Sequence, residues 1–339
     1  MLLSEVTTLR LGGPAGEVVE AETSDDLVAA VREADDAGTP VLLVAGGSNL
    51  VVADEGFDGR VVLVRTRGVE IDQDACSGAT VTVAAGESWD AFVASAVEHE
   101  WIGVEALAGI PGSVGATPIQ NVGAYGQDVA QTIVRVRTWD RLEGAVRTLT
   151  ADQCGFGYRT SRFKAEPGRH LVLDVTFQLR LGSLGAPVAY AELARALGVE
   201  VGERAPAAQV REAVLGLRRG KGMVLDPADH DTWSAGSFFT NPVLSAEQAG
   251  RLPVDAPRFE QADGTIKSSA AWLISHAGFE RGHGDAHASL STKHALALTN
   301  RGSATTQGLL ALAREVRDGV ASVYGIELEP EPNLVGCAL

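Results

Sequence analysis

The chain has 339 residues, 45% hydrophobic and 21% charged, the balance of an ordinary globular protein with room for two or three domains. A net charge of −16 argues against broad binding to nucleic acid or an anionic membrane, but leaves small anionic ligands open, because they respond to local fields. The three scattered cysteines, Cys76, Cys154 and Cys337, form no CxxC or other ligand spacing, so neither a disulfide framework nor a zinc site is expected. No apolar run of signal-peptide or membrane-spanning length occurs, and the expected location is the cytoplasm.

In chain order, Thr23 and Ser24 are cap residues for a helix whose first turn carries Asp25 and Asp26. Its apolar positions are Leu27, Ala30, Val31 and Ala34, and Gly38 with Pro40 ends it. Residues 41–44 form a short apolar run of buried-strand type leading into Ala45-Gly46-Gly47-Ser48-Asn49, and 61–64 is a second such strand. Ligands usually bind at the carboxyl ends of strands in α/β organisation, where this glycine pair falls. A strand at 81–85 leads through Gly86 into a helix at 87–98. Residues 106–126 hold Gly109, Gly112, Gly115, Gly123 and Gly126 between prolines, a density that permits positive φ and close approach of backbone to a ligand.

Strand character returns at 134–139 and 171–179. Residues 182–202 read as a connection with a short helix at 190–197, followed by a helix with Val210, Val214 and Leu217 on one face. The last long helix, 305–324, sets Leu309, Leu312, Val316, Val320 and Val323 on one face and stops at Gly325. Pro330 and Pro332 keep the tail from continuing it. Trp89, Trp101, Trp233 and Trp272 read as core residues, and acid pairs such as Asp35-Asp36 as solvated surface.

Successive N–H groups in a glycine loop form a concave anion site suited to a diphosphate. Gly46-Gly47-Ser48-Asn49 and residues 109–117 both fit, although tight turns explain either one taken singly. Neither matches a dinucleotide-binding GxGxxG or a Walker A sequence. Two such loops plus 123–126 favour a large cofactor. His283, His287 and His294 with Asp285 complete no recognised metal pattern, and no metal is expected.

Thr8-Leu9-Arg10-Leu11-Gly12-Gly13, Gly46-Gly47-Ser48-Asn49-Leu50, Gly109-Ile110-Pro111-Gly112, Pro118-Ile119-Gln120-Asn121-Val122-Gly123-Ala124-Tyr125-Gly126 and Tyr158-Arg159-Thr160-Ser161-Arg162-Phe163-Lys164 together resemble the UDP-N-acetylenolpyruvoylglucosamine reductases. Gly236-Ser237-Phe238-Phe239, Asn241-Pro242 and Leu328-Glu329-Pro330-Glu331 complete the set in order, so the resemblance covers essentially the whole chain. It implies an α+β protein with an FAD-binding domain of the vanillyl-alcohol-oxidase (PCMH) type. That domain, at 1–181, is made of two α/β subdomains at about 1–68 and 69–181. A linker and C-terminal α/β domain binding the UDP-sugar would occupy 182–325, and 326–339 would be a tail carrying a catalytic glutamate.

The resemblance also implies the chemistry: NADPH reduces FAD, and hydride then passes to the enolpyruvyl double bond of the UDP-sugar in peptidoglycan precursor synthesis. Hydride addition spreads negative charge into the carboxylate, which calls for cationic or donor groups around it and a positioned acid at the neighbouring carbon. By resemblance Arg159 holds that carboxylate, Ser237 donates the proton and Glu331 stabilises the enol form. Gly46, Gly47, Ser48, Asn49, Gly109, Pro111, Gly112, Gly115, Gly123 and Ala124 would bind the cofactor. Tyr125, Tyr190, Lys221, Asn241 and His294 would line the sugar-nucleotide site, with Tyr190 marking the branch that has a substrate-covering loop. Two positions depart from the usual pattern, Thr240 where many members have lysine, and Pro332-Asn333 after Glu331. The expected partners are small molecules, with no nucleic acid or membrane, and no protein partner can be inferred.

Two other functions compete. A different flavoenzyme of the same FAD fold would need the N-terminal loops but not Gly236-Ser237-Phe238-Phe239 or the Glu331 tail. A non-catalytic nucleotide-sugar sensor would not need Arg159, Ser237 and Glu331 intact.

Overall fold

Thr23 accepts the Asp26 N–H through its hydroxyl at 3.1 Å, while the Asp26 carboxylate takes the Thr23 N–H at 3.1 Å, so the first helix begins at Ser24 and runs to Asp36. In this computed structural model, which describes residues 1–261 and 263–339, the helix buries Leu27, Ala30, Val31 and Ala34, as its spacing predicts. Gly38 at φ +68° turns the chain into the strand Val41–Val44. That strand buries only Leu42 and Val44 closely, rather than all four residues. It runs parallel to Phe57–Val64, which has Ala15–Ala21 on its other side.

A larger antiparallel sheet follows, ordered Ala145–Thr150, Ile133–Asp140, His170–Leu181, Gly78–Ala84 and Val69–Asp74. Trp101–Ile102 pairs with the end of His170–Leu181. The central strands were expected, in shorter form. The two outer ones were not, because neither hides an apolar face: Val69 and Ile71 are exposed on one edge strand, and Val146 on the other. Ser88 caps the helix Trp89–Glu98, which presents Trp89 and Phe92 to Phe177 of the sheet at ring separations of 5.9 and 4.9 Å.

Two compact units emerge. One comprises Gly16–Gly46 and Asp58–Arg219, which includes both sheets, the short helix Ala191–Leu197 and the helix Ala207–Gly220. In the latter helix Leu215 is buried beside Val214, while the expected Leu217 is only half-buried.

The other unit is discontinuous and gathers Met1–Ala15, Gly47–Phe57 and Gly220–Leu339. Its core joins Leu9, Leu11 and Val51 to Phe238, Phe239 and the faces of the helices Ala270–His276 and Thr306–Tyr324. Thr305 caps the long helix through the Gly308 N–H at 3.0 Å, and Gly325 ends it at φ +67°. Val323, expected on the buried face, is exposed; in the last turn Tyr324 packs on the core instead, against Trp272. Trp89 and Trp101 are core residues, whereas Trp233 is half-buried, with the Arg10 guanidinium 3.8 Å over its ring. No helix among the described residues is long and apolar enough to cross a membrane.

Candidate active site

Within the sheet-bearing unit, the turn after Val41–Val44 meets the loop 109–117 backbone to backbone. A Cβ on Gly46 would lie 2.8 Å from the Gly112 Cα, and one on Gly115 would lie 2.5 Å from the Ala85 Cβ. Both glycines are therefore required by close approach. The 109–117 loop is sewn to the strand-to-helix turn before it: Trp89 N–H donates to Gly112 O, Val114 N–H to Glu87 O and Gly115 N–H to Ala85 O. Gly109, at φ +70°, gives its N–H to Asp90 Oδ1 at 2.6 Å, and Asp90 Oδ2 accepts from Arg211 at 3.3 Å. No carboxylate occurs within 46–49 or 109–117. Side-chain-free backbone at Gly46 and Gly112 fits the diphosphate of a bound FAD, the nearby Asp90 carboxylate being engaged by Gly109 N–H and Arg211.

Few non-glycine residues have positive φ, and three of them cluster in the neighbouring motifs: Asn121 at +46°, Tyr125 at +50° and Arg159 at +52°. A left-handed non-glycine residue costs about 1–2 kcal/mol, and such strain concentrates where function needs it. The surroundings fix Asn121 and Arg159. Asn121 donates to Gly157 O at 3.0 Å and accepts the Ala130 N–H at 3.1 Å. Ser161 donates to Ile119 O, which ties the Arg159 segment to residues 118–126. Arg159 Nη2 donates to Gly123 O at 3.0 Å and Nη1 to Asn121 O at 3.5 Å.

Gly123–Ala124 and Gln127–Asp128 form a short hairpin with Tyr125 at its turn. Burial lifts the Asp128 carboxyl above the usual range, and N–H groups of Gln131 and Ala130 together with the Arg159 charge pull it back. Tyr190 stands just before the helix Ala191–Leu197 and meets Tyr125 edge-on, with ring centroids 6.3 Å apart. Gly126 makes room for that approach, since its Cβ would lie 2.5 Å from the Ala189 Cβ. The structure thus brings Arg159, Gly123, Tyr125 and Tyr190 together. It adds Arg218, whose Nε is out of solvent; burial draws its pKa down to about 10, opposed by Tyr125 and Asp90 and reinforced by Arg159. Its sequence position, in a basic last helical turn just before Lys221, was the one available signal.

In the discontinuous unit, Ser237 directly precedes the buried pair Phe238 and Phe239. Phe238 N–H donates to Leu296 O at 2.7 Å, and Phe238 O accepts the Glu331 N–H at 2.8 Å. Thr240 N–H donates to Glu329 O at 3.0 Å, so the 236–242 segment lies along the tail. The tail in turn reaches the Gly47-Ser48-Asn49 turn: Asn333 N–H donates to Asn49 O at 2.9 Å, Asn49 Nδ2 to Glu331 O at 3.4 Å, and Asn333–Val335 pairs in parallel with Leu50–Val52. Gly47, at φ +58°, is held against Val6 O, 1.9 Å from where a Cβ would sit. Ser237, Asn49 and Glu331 are therefore linked through main chain.

His294 lies in the turn between the strands Ala288–Leu290 and Leu298–Asn300, two residues from the Leu296 carbonyl that holds Phe238. Asn241 spends its side-chain oxygen on the Ala270 N–H at 2.9 Å, at the start of a helix. Lys221, half-buried, directly follows the helix Ala207–Gly220. His283 bonds Glu315 at 2.8 Å and His287 bonds Ser303 at 2.7 Å, so these histidines serve separate contacts. Among the described residues no group of three or more His, Cys, Asp or Glu could hold a metal ion.

Residues 226–335 match the family described as UDP-N-acetylenolpyruvoylglucosamine reductase, C-terminal domain, and residues 15–150 match the FAD binding domain family. UDP-N-acetylenolpyruvoylglucosamine reductases of Cutibacterium acnes and Streptomyces coelicolor are 61% and 57% identical, each alignment covering 99% of this chain and 90% of the relative. The crystal structure of the corresponding reductase from Thermus caldophilus, 26% identical, superposes with a TM-score of 0.68 over 99% of this chain and 97% of that one. The FAD-binding match and this likeness bear out the expected α+β class with a flavin domain and a C-terminal domain. The chain belongs to the UDP-N-acetylenolpyruvoylglucosamine reductase family.

Proposed function

We propose that this protein is an FAD-dependent oxidoreductase that uses NADPH to convert UDP-N-acetylglucosamine enolpyruvate to UDP-N-acetylmuramate. The observation that carries the reading is the strained Arg159, tied to Gly123 beside Tyr125, in a chain matched end to end by reductases of that name. When bound, FAD would supply the hydride chemistry for the enolpyruvyl double bond, with NADPH as the reductant. Within 1–181, Gly46, Gly47, Ser48, Asn49, Gly109, Pro111, Gly112, Gly115, Gly123 and Ala124 would hold it.

The chain's own work is binding, charge and proton delivery. Arg159 holds the substrate carboxylate and counters the negative charge that grows there in the transition state. Its guanidinium is preoriented by Gly123 O, so little reorganisation accompanies the reaction. Ser237 gives its hydroxyl proton to the carbon next to the one that receives hydride. A serine is a weak acid, and Glu331, fixed to the same short stretch through Phe238 O, stabilises the enol form that awaits the proton.

Lys221 faces the substrate diphosphate, and Tyr125, Tyr190, Asn241 and His294 line the sugar-nucleotide site within 182–325 and its approaches. Asn241 retains its amide nitrogen for that role, its oxygen being used at the helix start. The tail 326–339 carries Glu331. The product belongs to peptidoglycan precursor synthesis, hence to cell-wall formation, cell shape and division. Its reactants are soluble nucleotides, which fits a cytoplasmic enzyme that needs only small-molecule partners. NADPH oxidation dependent on the enolpyruvyl UDP-sugar, followed by absorbance with purified yellow protein, tests this directly. NADPH consumption indifferent to the sugar would instead favour another flavoenzyme.

A further inference from the structure

Glu105 belongs to none of the roles above, yet its side chain is fully out of solvent, 0% exposed, and no cation pairs with it among the hydrogen bonds it makes. A buried carboxylate is costly unless several donors satisfy it. Three N–H groups do so, each from a different stretch. Gly103 N–H donates to Oε2 at 2.6 Å, Gln127 Nε2 to Oε1 at 2.9 Å, and Ala186 N–H to Oε1 at 2.6 Å. Gln127 is itself fixed, because its side-chain oxygen accepts the Ala106 N–H at 2.8 Å.

The stretches are informative. Gln127 pairs with Ala124 in the hairpin that carries Tyr125 at its turn. Ala186 lies four residues before Tyr190, on the connection that brings Tyr190 to Tyr125. That connection comes close only because Gly185 lacks a side chain: a Cβ there would lie 2.8 Å from Glu105 Oε1. At its other end Gly126 admits Ala189 in the same way. One carboxylate oxygen thus clamps the two segments whose tyrosines meet edge-on.

We propose that Glu105 is a positioning residue for substrate binding, latching the 183–190 connection to the Tyr125 hairpin and so setting Tyr190 in its place as a cover over the sugar nucleotide. The inference rests on the proposed reductase function and deepens it. Glu105 touches neither hydride nor proton transfer, so its loss weakens sugar-nucleotide binding and leaves the chemistry intact. Glu105→Gln keeps the shape but loses the charge and sets an NH₂ against an N–H donor. Gly185→Ala keeps the carboxylate and pushes the connection off it.

The test compares wild type, E105Q, G185A, Y190A and the double variants E105Q/Y190A and G185A/Y190A. The readouts are KM for UDP-N-acetylglucosamine enolpyruvate, kcat, and the flavin spectrum with its reduction by NADPH in the absence of sugar. Both single latch variants should raise that KM about three- to tenfold, with kcat within about twofold and flavin reduction unchanged. In the Y190A background either latch change should add less than about twofold. If E105Q does not fold, G185A carries the same comparison alone. KM increases that multiply fully with Y190A, or that vanish, overturn the latch while leaving the reductase reading intact. Wild-type protein that shows no sugar-dependent NADPH oxidation overturns both.

Discussion

Gly46→Ala separates a cofactor-binding loop from an ordinary tight turn. The added Cβ would lie 2.8 Å from the Gly112 Cα and 3.3 Å from its carbonyl carbon, both backbone atoms that cannot rotate away. Carbon atoms rest at about 3.5–4.0 Å, so the two loops must part by about 0.8 Å. The apoprotein can relax by that shift, whereas a bound diphosphate requires the original spacing. Overpacking of this kind costs about 1–3 kcal/mol, and most of it should therefore fall on FAD binding, weakening it about 5- to 150-fold.

The assay is titration of apoprotein with FAD, followed by quenching of flavin fluorescence, beside a thermal melt without FAD. Gly38→Ala serves as the control. It also sits at positive φ, +68°, but a Cβ there meets nothing within 4 Å. It should lower the melting temperature and leave FAD affinity unchanged. If Gly46→Ala binds FAD as tightly as wild type while its apoprotein melts lower, the Gly46–Gly112 approach is packing alone and the assignment of the loop to FAD is refuted.

Ser237→Ala should leave flavin reduction by NADPH at its normal rate and slow reoxidation by the enolpyruvyl substrate; unchanged stopped-flow reoxidation removes Ser237 as proton donor. Arg159→Lys keeps the charge but cannot donate to Gly123 O and grip a carboxylate through two parallel N–H groups, so kcat/KM should fall about 10- to 100-fold, measured by steady-state NADPH oxidation. The Asp140 carboxyl is held down to about 2, chiefly by hydrogen bonds from Arg169 and by the Glu143 and Leu142 N–H groups, with burial opposing. Its folded pKa is thus below the unfolded value near 4, so it stabilises fully above about pH 4 and that stability is lost as pH falls toward 2. Asp140→Asn should lower stability at pH 7 and flatten that acid limb in denaturant melts at stepped pH.

Much of the fold was legible because local chemistry and burial agree in it. Thr23 and Asp26 mark a helix start reciprocally, and Gly325 marks a helix end, whatever the rest of the chain does. The sequence does not announce Val69–Asp74 and Ala145–Thr150, sheet edges whose side chains are exposed throughout the first and mostly so in the second, where Leu149 alone is buried, so no alternating buried face imprints itself. The grouping of Met1–Ala15 and Gly47–Phe57 with the C-terminal part left no local mark either, since it arises from pairings such as Leu50–Val52 with Asn333–Val335, far apart in sequence.

The site divides along the same line. Glycine-rich motifs are visible because a missing side chain is a composition signal, whereas Glu105, Asp90 and Arg218 are single polar residues whose meaning lies in what reaches them from elsewhere. Pro332-Asn333, the departure from the usual pattern after Glu331, can be set against the backbone donors that the tail uses. Glu331 gives its N–H to Phe238 O and Asn333 gives its N–H to Asn49 O, on either side of the proline. Successive residues of an extended segment point their N–H groups in opposite directions, and the position between two used donors is where a residue without one is tolerated. Proline there removes no bond that holds Glu331, and its fixed φ narrows the unfolded tail's freedom. A departure from a familiar pattern matters to a site only when the atom it deletes was in use.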